Sequence, residues 1–204
     1  MNHIIVSEEK IFPSKIVCIA RNYLEHINEL NNEVPEEMVV FNKPNSAISE
    51  ELHATHLGEQ LHYESEICFV IKDGELRAAG FGLDITKRET HSRLKPKGLP
   101  WERAKAFDGS ALFSRFVAFS PDQELTIELR INGVRQQYGS TGQMIHPPAA
   151  MLREVQSFTT LYDGDILMTG TPSGVGPILA GDTFTGIICQ NGQELVSVSW
   201  VVRP

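Results

Sequence analysis

Residues 62–71 read HYESEICFVI, a stretch in which two carboxylates directly precede an apolar run. The apolar half predicts a buried β-strand. Side chains at positions i and i+2 of a strand point to the same face, so Glu64 and Glu66 are expected side by side, next to His62. Adjacent carboxylates at the edge of a core repel each other and are costly to desolvate unless a cation compensates them. The stretch therefore predicts a bound divalent metal ion.

Asp84, between Leu83 and Ile85, is the third candidate ligand. Three carboxylates suit Mg²⁺ or Mn²⁺, which prefer oxygen ligands and keep positions open for water and substrate. Zinc is disfavoured because no cysteine cluster or paired-histidine spacing accompanies the carboxylates. The alternative is that Glu64 and Glu66 line the solvent face of an edge strand and that Asp84 belongs to a turn or a cap.

Length and composition predict one globular domain spanning residues 1–204. The chain has 204 residues, of which 41% are hydrophobic and 22% charged. That length supports a sizeable core. No apolar run approaches the roughly 18 residues that a membrane helix needs. The formal net charge of −8 argues against nucleic acids and anionic membranes as partners.

The cysteines and the N-terminus predict a cytoplasmic protein. Cys18, Cys68 and Cys189 are odd in number, far apart and set in apolar surroundings, which indicates reduced core thiols rather than disulfides. The first ten residues lack a basic segment followed by a long apolar one, so no signal peptide is predicted.

The order of predicted elements indicates a β-rich α+β domain with short helices. Helices are predicted at residues 22–30, with Asn22 as N-cap, and at 147–155, with proline in the first turn. Tight turns are predicted at residues 72–75, 132–133 and 190–192. The predicted strands cover residues 14–20, 39–41, 62–71, 79–85, 125–131, 165–169, 183–189 and 195–202.

His26 and Glu29 form a candidate catalytic pair on the first predicted helix. They are three residues apart and therefore share one helix face. A histidine oriented by a carboxylate can take a proton from water near neutral pH. The alternative is an ordinary surface pair on a short amphipathic helix.

Basic and hydroxyl side chains supply candidate contacts to an anionic substrate. Arg21, Lys43 and Lys105 are the basic candidates, and Lys105 lies among small and aromatic residues as a partly buried lysine would. Residues 169–176, TGTPSGVG, predict a tight loop that presents hydroxyl and N–H groups, including those of Thr171. The alternatives are unrelated surface cations and a purely structural turn.

Taken in order, these segments resemble the fumarylacetoacetate hydrolase family over nearly the whole chain. The branch that they resemble most is that of the small acylpyruvases and oxaloacetate decarboxylases. The matching segments are ARNY at 20–23 with His26 and Glu29, FNKP at 41–44, HYESE at 62–66, DIT at 84–86, KGLPW at 97–101, Lys105, NG at 132–133, MIH at 144–146, GD at 164–165 and TGTPSGVG at 169–176.

The resemblance implies a mixed β-roll fold with peripheral helices and a homodimer. It also implies that Glu64, Glu66 and Asp84 hold Mg²⁺ or Mn²⁺, that Lys105 faces the substrate, and that His26 and Glu29 lie on a mobile lid at residues 22–37. One segment departs from the family pattern. Where Ala-Arg-Asp-x-Gln is usual after DIT, this chain has KRETH at 87–91, so that His91 takes the place of the glutamine.

The function that follows is metal-dependent cleavage of a C–C bond in acylpyruvate-type 2,4-dioxo acids, with decarboxylation of oxaloacetate as a further activity. In both reactions the substrate is a small anionic 2-oxo acid, and a metal ion stabilises an enolate. Three alternatives remain. They are an isomerase or decarboxylase of dienedioates from aromatic catabolism, a fumarylpyruvate-type hydrolase, and a non-catalytic metal-binding relative.

Overall fold

A computed structural model describes residues 1–30 and 33–204 as a β-rich α+β protein with short helices, in agreement with the predicted class. The strands are β1 Ile4–Val6, β2 Glu9–Ile11, β3 Lys15–Ala20, β4 Val39–Pro44, β5 Thr55–His56, β6 Glu59–Tyr63, β7 Ser65–Lys72, β8 Glu75–Asp84, β9 Thr86–Lys87, β10 Ala111–Phe113, β11 Val117–Ala118, β12 Leu125–Ile131, β13 Val134–Ser140, β14 Ile166–Met168, β15 Gly176–Pro177, β16 Thr183–Gln190 and β17 Gln193–Val201. The α-helices are α1 Leu24–Glu29, α2 Arg88–Leu94, α3 Glu102–Lys105 and α4 Pro148–Phe158, and single 3₁₀ turns cover Asn45–Ala47, Lys95–Lys97 and Thr141–Gln143.

A seven-stranded mixed sheet forms the centre of the protein. Its strand order is β10-β8-β7-β14-β3-β4, and β11 adds to β8 beyond β10. Strands β7 and β8 form the predicted hairpin, in which Asp73 and Gly74 have φ of 54° and 74°. Two successive positive φ values match the twist of the flanking strands, which is why an Asp-Gly pair stands there. The hairpin aligns Glu66 at the start of β7 with the end of β8, where Asp84 lies.

Both faces of this sheet are buried, which explains the continuous apolar run at residues 67–71. Val17, Phe69 and Leu167 belong to the larger core cluster on one face, whereas Cys18, Cys68 and Met168 belong to a second cluster on the other. Alternate residues of a strand point to opposite faces, so a strand covered on both sides has no polar positions. The three cysteines are free thiols, as predicted.

A four-stranded antiparallel sheet, ordered β13-β12-β16-β17, closes the larger core. Its two hairpins turn at the predicted Asn132-Gly133 and Asn191-Gly192 pairs, all four with positive φ. Gly186 in β16 lies against the Phe81 ring, and a Cβ there would come within 2.5 Å of the ring carbons. The two sheets therefore approach closely only because residue 186 has no side chain.

The predicted single strand at 62–71 is wrong at one residue, Glu64. The chain leaves β6 at Tyr63 and begins β7 at Ser65, and these two strands belong to different sheets. Glu64 lies at the junction, where its carbonyl accepts the Asp84 N–H at 2.8 Å. No glycine, proline, asparagine or aspartate stands at residues 62–66, so the sequence did not show the change of sheet. Glu64 still lies beside Glu66, although it belongs to neither strand.

The first predicted helix begins later than expected and has a different cap. Helix α1 covers Leu24–Glu29 and has Tyr23 at its N-cap. The side chain of Asn22 instead donates to the carbonyls of His146, at 3.1 Å, and Thr169, at 2.8 Å, and accepts the His146 N–H. Asn22 therefore fixes the strand–helix connection to two distant loops. Helix α4 begins with proline, as predicted. No helix among the described residues is long and apolar enough to cross a membrane.

Candidate active site

A cavity of about 40 Å³ lies where the ends of the central strands meet helices α1, α2 and α3. Strand β3 ends at its rim, β7 begins in it and β8 ends in it. The loop that follows β14 forms one side of the cavity with Gly170 and Thr171. The strand order explains this convergence, because the antiparallel neighbours β7 and β8 bring a strand start and a strand end to the same edge of the sheet.

Glu64, Glu66 and Asp84 come together in this cavity as one buried group. One carboxylate oxygen from each residue lies within 4.8 Å of the other two. Their relative exposures are 7%, 2% and 1%, which excludes the solvent-exposed edge strand that the sequence left open. Glu66 Oε2 accepts the Gly170 N–H at 2.7 Å. The loop glycine thus fixes the orientation of one carboxylate through its backbone.

Two lysines compensate part of this negative charge. Lys105 Nζ donates to Asp84 Oδ2 at 2.6 Å, to Glu64 Oε2 at 2.9 Å and to Thr86 Oγ1 at 2.6 Å. Lys43 Nζ lies 2.8 Å from Asp84 Oδ1. Arg88 forms a further ion pair with Glu64. The cations are concentrated on Glu64 and Asp84, and Glu66 has no ion pair within the described residues.

The pKa values follow this uneven distribution of charge. Burial alone would raise the pKa of Glu64, but Lys105 and Arg88 outweigh it and hold the pKa well below the usual range. Burial, reinforced by Asp84 and Glu64, raises the pKa of Glu66 well above that range. Burial would lower the pKa of Lys105, but Asp84 and Glu64 raise it above its ordinary value. The same carboxylates that Lys105 contacts are therefore the groups that favour its charged form.

The cluster of Glu64, Glu66 and Asp84 is suited to a hard divalent cation. Glu66 has no cation paired with it in the described part of the chain, and Asp84 Oδ1 makes no hydrogen bond there, although Lys43 lies at ion-pair distance. A buried polar atom without a hydrogen bond is costly unless another partner takes it. Three carboxylate oxygens within reach of one point, with no cysteine or histidine among them, are typical of Mg²⁺ or Mn²⁺ coordination.

The predicted pair of His26 and Glu29 lies at the same cavity. His26 is 7% exposed and lines the cavity, and its Nδ1 lies 3.1 Å from Glu29 Oε2. The other carboxylate oxygen, Glu29 Oε1, accepts the Gly174 N–H at 2.9 Å. Glu29 therefore holds the imidazole through Nδ1 and leaves Nε2 for a substrate or water. The predicted lid at 22–37 includes residues 31 and 32, which lie outside the described residues.

Of the predicted substrate contacts, Arg21, Lys105 and Thr171 line the cavity. Arg21 has φ of 57°, an uncommon value for a residue other than glycine, and lies between β3 and α1. Thr171 accepts a hydrogen bond from Gln137 Nε2 at 2.8 Å. Lys43 does not reach the cavity. It is fully buried behind Asp84, and its ammonium also donates to the carbonyls of Lys105 and Ser110. Lys43 was predicted to contact the substrate, but the structure places it where it holds Asp84 in position instead.

The described cavity lining includes three ionisable side chains that were not among the candidates from the sequence, namely Arg88, His91 and Lys95. All three belong to α2 or to the turn that continues it. Their 3–4 residue spacing places them on one helix face, a signal present in the sequence. It went unused because the segment is polar throughout, so nothing distinguished the cavity face from the solvent face.

We expect Lys43→Met to destabilise the metal-free protein by about 3 kcal/mol, because it leaves Asp84 buried without one of its two cations. Urea unfolding in EDTA measures this loss. Lys72→Met is the matched control, since Lys72 is exposed at the end of β7. Equal stability of the Lys43 variant and the control would show that Lys43 does not support Asp84.

Comparisons with known proteins agree with this geometry. The family model described as "Fumarylacetoacetate (FAA) hydrolase C-terminal" matches residues 15–198. The oxaloacetate tautomerase YcgM of Escherichia coli K12 is 38% identical over 190 residues, which are 84% of this chain and 87% of that protein. The mitochondrial oxaloacetate tautomerase FAHD1 of Arabidopsis thaliana is 34% identical over 209 residues, covering 94% and 93%.

Among solved structures, the fumarylpyruvate hydrolase of Pseudomonas aeruginosa in complex with Mn²⁺ and pyruvate superposes with a TM-score of 0.89. It is 26% identical, and the match covers 99% of this chain and 95% of that one. The chain belongs to the fumarylacetoacetate hydrolase family, a family of hydrolases and isomerases, and the resemblance seen in the sequence is confirmed. The protein has the fold of that family.

Proposed function

We propose that this protein is a Mg²⁺- or Mn²⁺-dependent enzyme that interconverts the keto and enol forms of oxaloacetate. The observation that carries the proposal is the meeting of three buried carboxylates, the ammonium of Lys105 and the oriented imidazole of His26 in one cavity. Relatives that cover most of the chain at 34–38% identity are named oxaloacetate tautomerases, which supports the choice of substrate.

Glu64, Glu66 and Asp84 would hold the metal ion. When bound, the ion supplies a Lewis acid that favours negative charge on the 2-oxo oxygen of the substrate. The three N–H groups of Lys105 already donate to Glu64, Asp84 and Thr86, so Lys105 would stabilise negative charge on that oxygen through its nearby positive charge. Arg21 and Thr171 line the cavity and are the candidate partners of the substrate carboxylate.

His26 is the group that moves the proton. Keto–enol interconversion transfers one proton between C3 and the 2-oxo oxygen and consumes nothing else. Glu29 engages Nδ1, so Nε2 takes the proton from C3 and returns it in the reverse direction. Lys105 is not assigned as this base, because its ammonium is held by Glu64, Asp84 and Thr86. The cavity walls of Ile19, Phe41 and Trp101 limit the access of water to the site.

Hydrolysis of acylpyruvates is the second candidate, favoured by the same His26–Glu29 pair. An imidazole that accepts a proton from C3 can also accept one from water, and the water then attacks the remote carbonyl of a 2,4-dioxo acid. C–C cleavage releases pyruvate as its enol. Decarboxylation of oxaloacetate yields the same enol without an attacking water. One structural neighbour is named a fumarylpyruvate hydrolase, and this name supports hydrolysis as the second candidate.

Two assays on one protein preparation separate the candidates. The first follows ketonisation of freshly dissolved enol-oxaloacetate by ultraviolet absorbance, and the second follows pyruvate release from acetylpyruvate, fumarylpyruvate and oxaloacetate. We expect faster ketonisation with Mg²⁺ or Mn²⁺, loss of the acceleration in EDTA and recovery when metal is restored. Pyruvate release without accelerated ketonisation would select the second candidate. Inactivity on every substrate with either metal would contradict both and favour a binding protein.

The compartment and the assembly of the protein form a separate proposal. We retain the predictions of a cytoplasmic homodimer that does not bind nucleic acid. The relatives differ in compartment, since the Arabidopsis protein is named mitochondrial. Size-exclusion chromatography with light scattering tests the dimer directly.

A further inference from the structure

Gln137 is a buried amide on strand β13 that does not line the cavity but is hydrogen-bonded to residues around it. It is 1% exposed, whereas the adjacent Gln136 is exposed. Its Oε1 accepts the Ser65 N–H at 2.9 Å, and its Nε2 donates to Thr171 Oγ1 at 2.8 Å and to the Pro172 carbonyl at 2.7 Å. Gln137 therefore joins the residue between the two glutamates to the loop that follows β14.

The direction of these hydrogen bonds follows from the chemistry of the partners. The backbone N–H of Ser65 can only donate and the carbonyl of Pro172 can only accept, so the amide cannot be reversed. Nε2 therefore points its second hydrogen at Thr171 Oγ1, which acts as the acceptor. Among the described residues, the hydroxyl hydrogen of Thr171 has one acceptor, the Pro172 carbonyl at 3.4 Å, a long distance for such a bond. That hydrogen is thus available to a ligand.

Thr171 belongs to the cavity wall and is held there closely. It is 3% exposed and follows Gly170, whose N–H donates to Glu66. Strand β13 also fixes the loop by packing, because a Cβ on Gly174 would come within 2.1 Å of the Gln136 carbonyl oxygen. A buried hydroxyl that accepts one hydrogen bond from the protein can donate its own hydrogen to an oxygen in the cavity.

We propose that Gln137 is a positioning residue, which fixes the Thr171 hydroxyl as a donor to the substrate carboxylate. The donor is then oriented before the substrate enters, so less ordering is needed on binding. The inference rests on the proposed function in one respect, since it assumes that a carboxylate binds beside Thr171. Gln137 itself does not reach the cavity, so its effect on anion binding must pass through the hydroxyl of Thr171.

A double-mutant cycle on the Mg²⁺-loaded protein tests this dependence. The probe is oxalate, which has two adjacent carboxylates and cannot enolise, so its binding needs no turnover. Isothermal titration should show oxalate binding about tenfold weaker in Thr171→Val and in Gln137→Met, the size of one charge-assisted hydrogen bond. The double variant should also be about tenfold weaker, whereas two independent effects would make it about a hundredfold weaker.

Three further variants control for general damage. Gln136→Met changes the same residue type at an exposed position of β13 and should bind oxalate as the wild type does. Thr171→Ser keeps the hydroxyl, so it should retain the affinity and stay sensitive to Gln137→Met. Gln137→Glu serves if Gln137→Met does not fold, because it keeps an acceptor for the Ser65 N–H but loses the donor. It should weaken oxalate binding more when Thr171 is present than in the Thr171→Val background.

The results separate the role of Gln137 from the proposed reaction. A hundredfold loss in the double variant, or unchanged oxalate affinity in Gln137→Met, would overturn that role. Weaker Mn²⁺ binding in Gln137→Met but not in Thr171→Val would also overturn it, because Gln137 would then act on the carboxylates through Ser65. The expected cycle in a protein that does not accelerate oxaloacetate ketonisation would support the role of Gln137 and refute the reaction. Accelerated ketonisation with additive losses would do the reverse.

Discussion

Glu66→Gln is expected to abolish metal binding and reduce activity at least about 10³-fold, while making the metal-free protein more stable. Gln offers one neutral oxygen in place of a carboxylate, which weakens coordination of a hard cation. In the metal-free protein, however, burial and Asp84 raise the pKa of Glu66, so the ionised side chain opposes folding. Activity and stability should therefore change in opposite directions.

The direction of this change in stability can be checked by unfolding the protein at different pH values. A carboxyl whose pKa is raised on folding contributes stability that is complete below its unfolded-state pKa and is lost as pH rises through the folded-state value. The wild type in EDTA should lose this contribution on the alkaline side of the usual glutamate range, and Glu66→Gln should not. Thermal unfolding across pH, with and without Mg²⁺, measures both effects. Glu75→Gln, exposed at the start of β8, is the control. A destabilised Glu66→Gln protein in EDTA would contradict the assigned charge imbalance.

His26→Ala is expected to lower kcat by about 10²–10⁴-fold, the usual contribution of a general base, with metal affinity unchanged. His26 is not one of the residues proposed to hold the metal ion, so titration with Mn²⁺ should match the wild type. Glu29→Gln should cause a smaller loss, because the imidazole stays in place but its orientation and tautomer are less well fixed. Steady-state ketonisation and hydrolysis rates measure both variants.

Asn28→Ala provides the control for helix α1, since Asn28 is exposed on the same helix and contacts neither partner of the pair. Retention of full activity by His26→Ala would refute the proton-transfer assignment. Loss of hydrolysis with retained ketonisation would restrict His26 to the activation of water and would require another base at C3.

The carboxylates and the histidine pair were accessible from sequence because each depends on short spacing. Glu64 and Glu66 are two residues apart, and His26 and Glu29 are three apart, so local geometry alone makes them neighbours. Short spacing could not predict that the carboxylates and the histidine pair meet in one cavity. That meeting depends on the pairing of β14 with β3 and β7, which joins segments about 100–150 residues apart. The family resemblance supplied that information.

The errors have a common physical origin. Periodicity reports which side chains are buried but not which sheet buries them, so the change of sheet at Glu64 was invisible. The burial of Lys43 was equally hidden, because a lysine beside a strand end looks the same whether it faces solvent or an internal carboxylate. His91 was noticed only as a departure from the family pattern. Only the folded chain shows that neither ring nitrogen of His91 has a hydrogen-bond partner among residues 1–30 and 33–204.

The carboxylate of Glu29 makes contacts in two directions at once. One oxygen meets the imidazole of α1, and the other meets the backbone of Gly174, whose φ of 98° and contact with Gln136 leave no room for a side chain. Because His26 and Glu29 both belong to α1, the Gly174 contact ties the imidazole as well as the carboxylate to the loop after β14. An outward shift of α1 would break that one contact and carry the intact pair away from the three acidic side chains, so the base would keep its orienting partner but lose its place in the cavity.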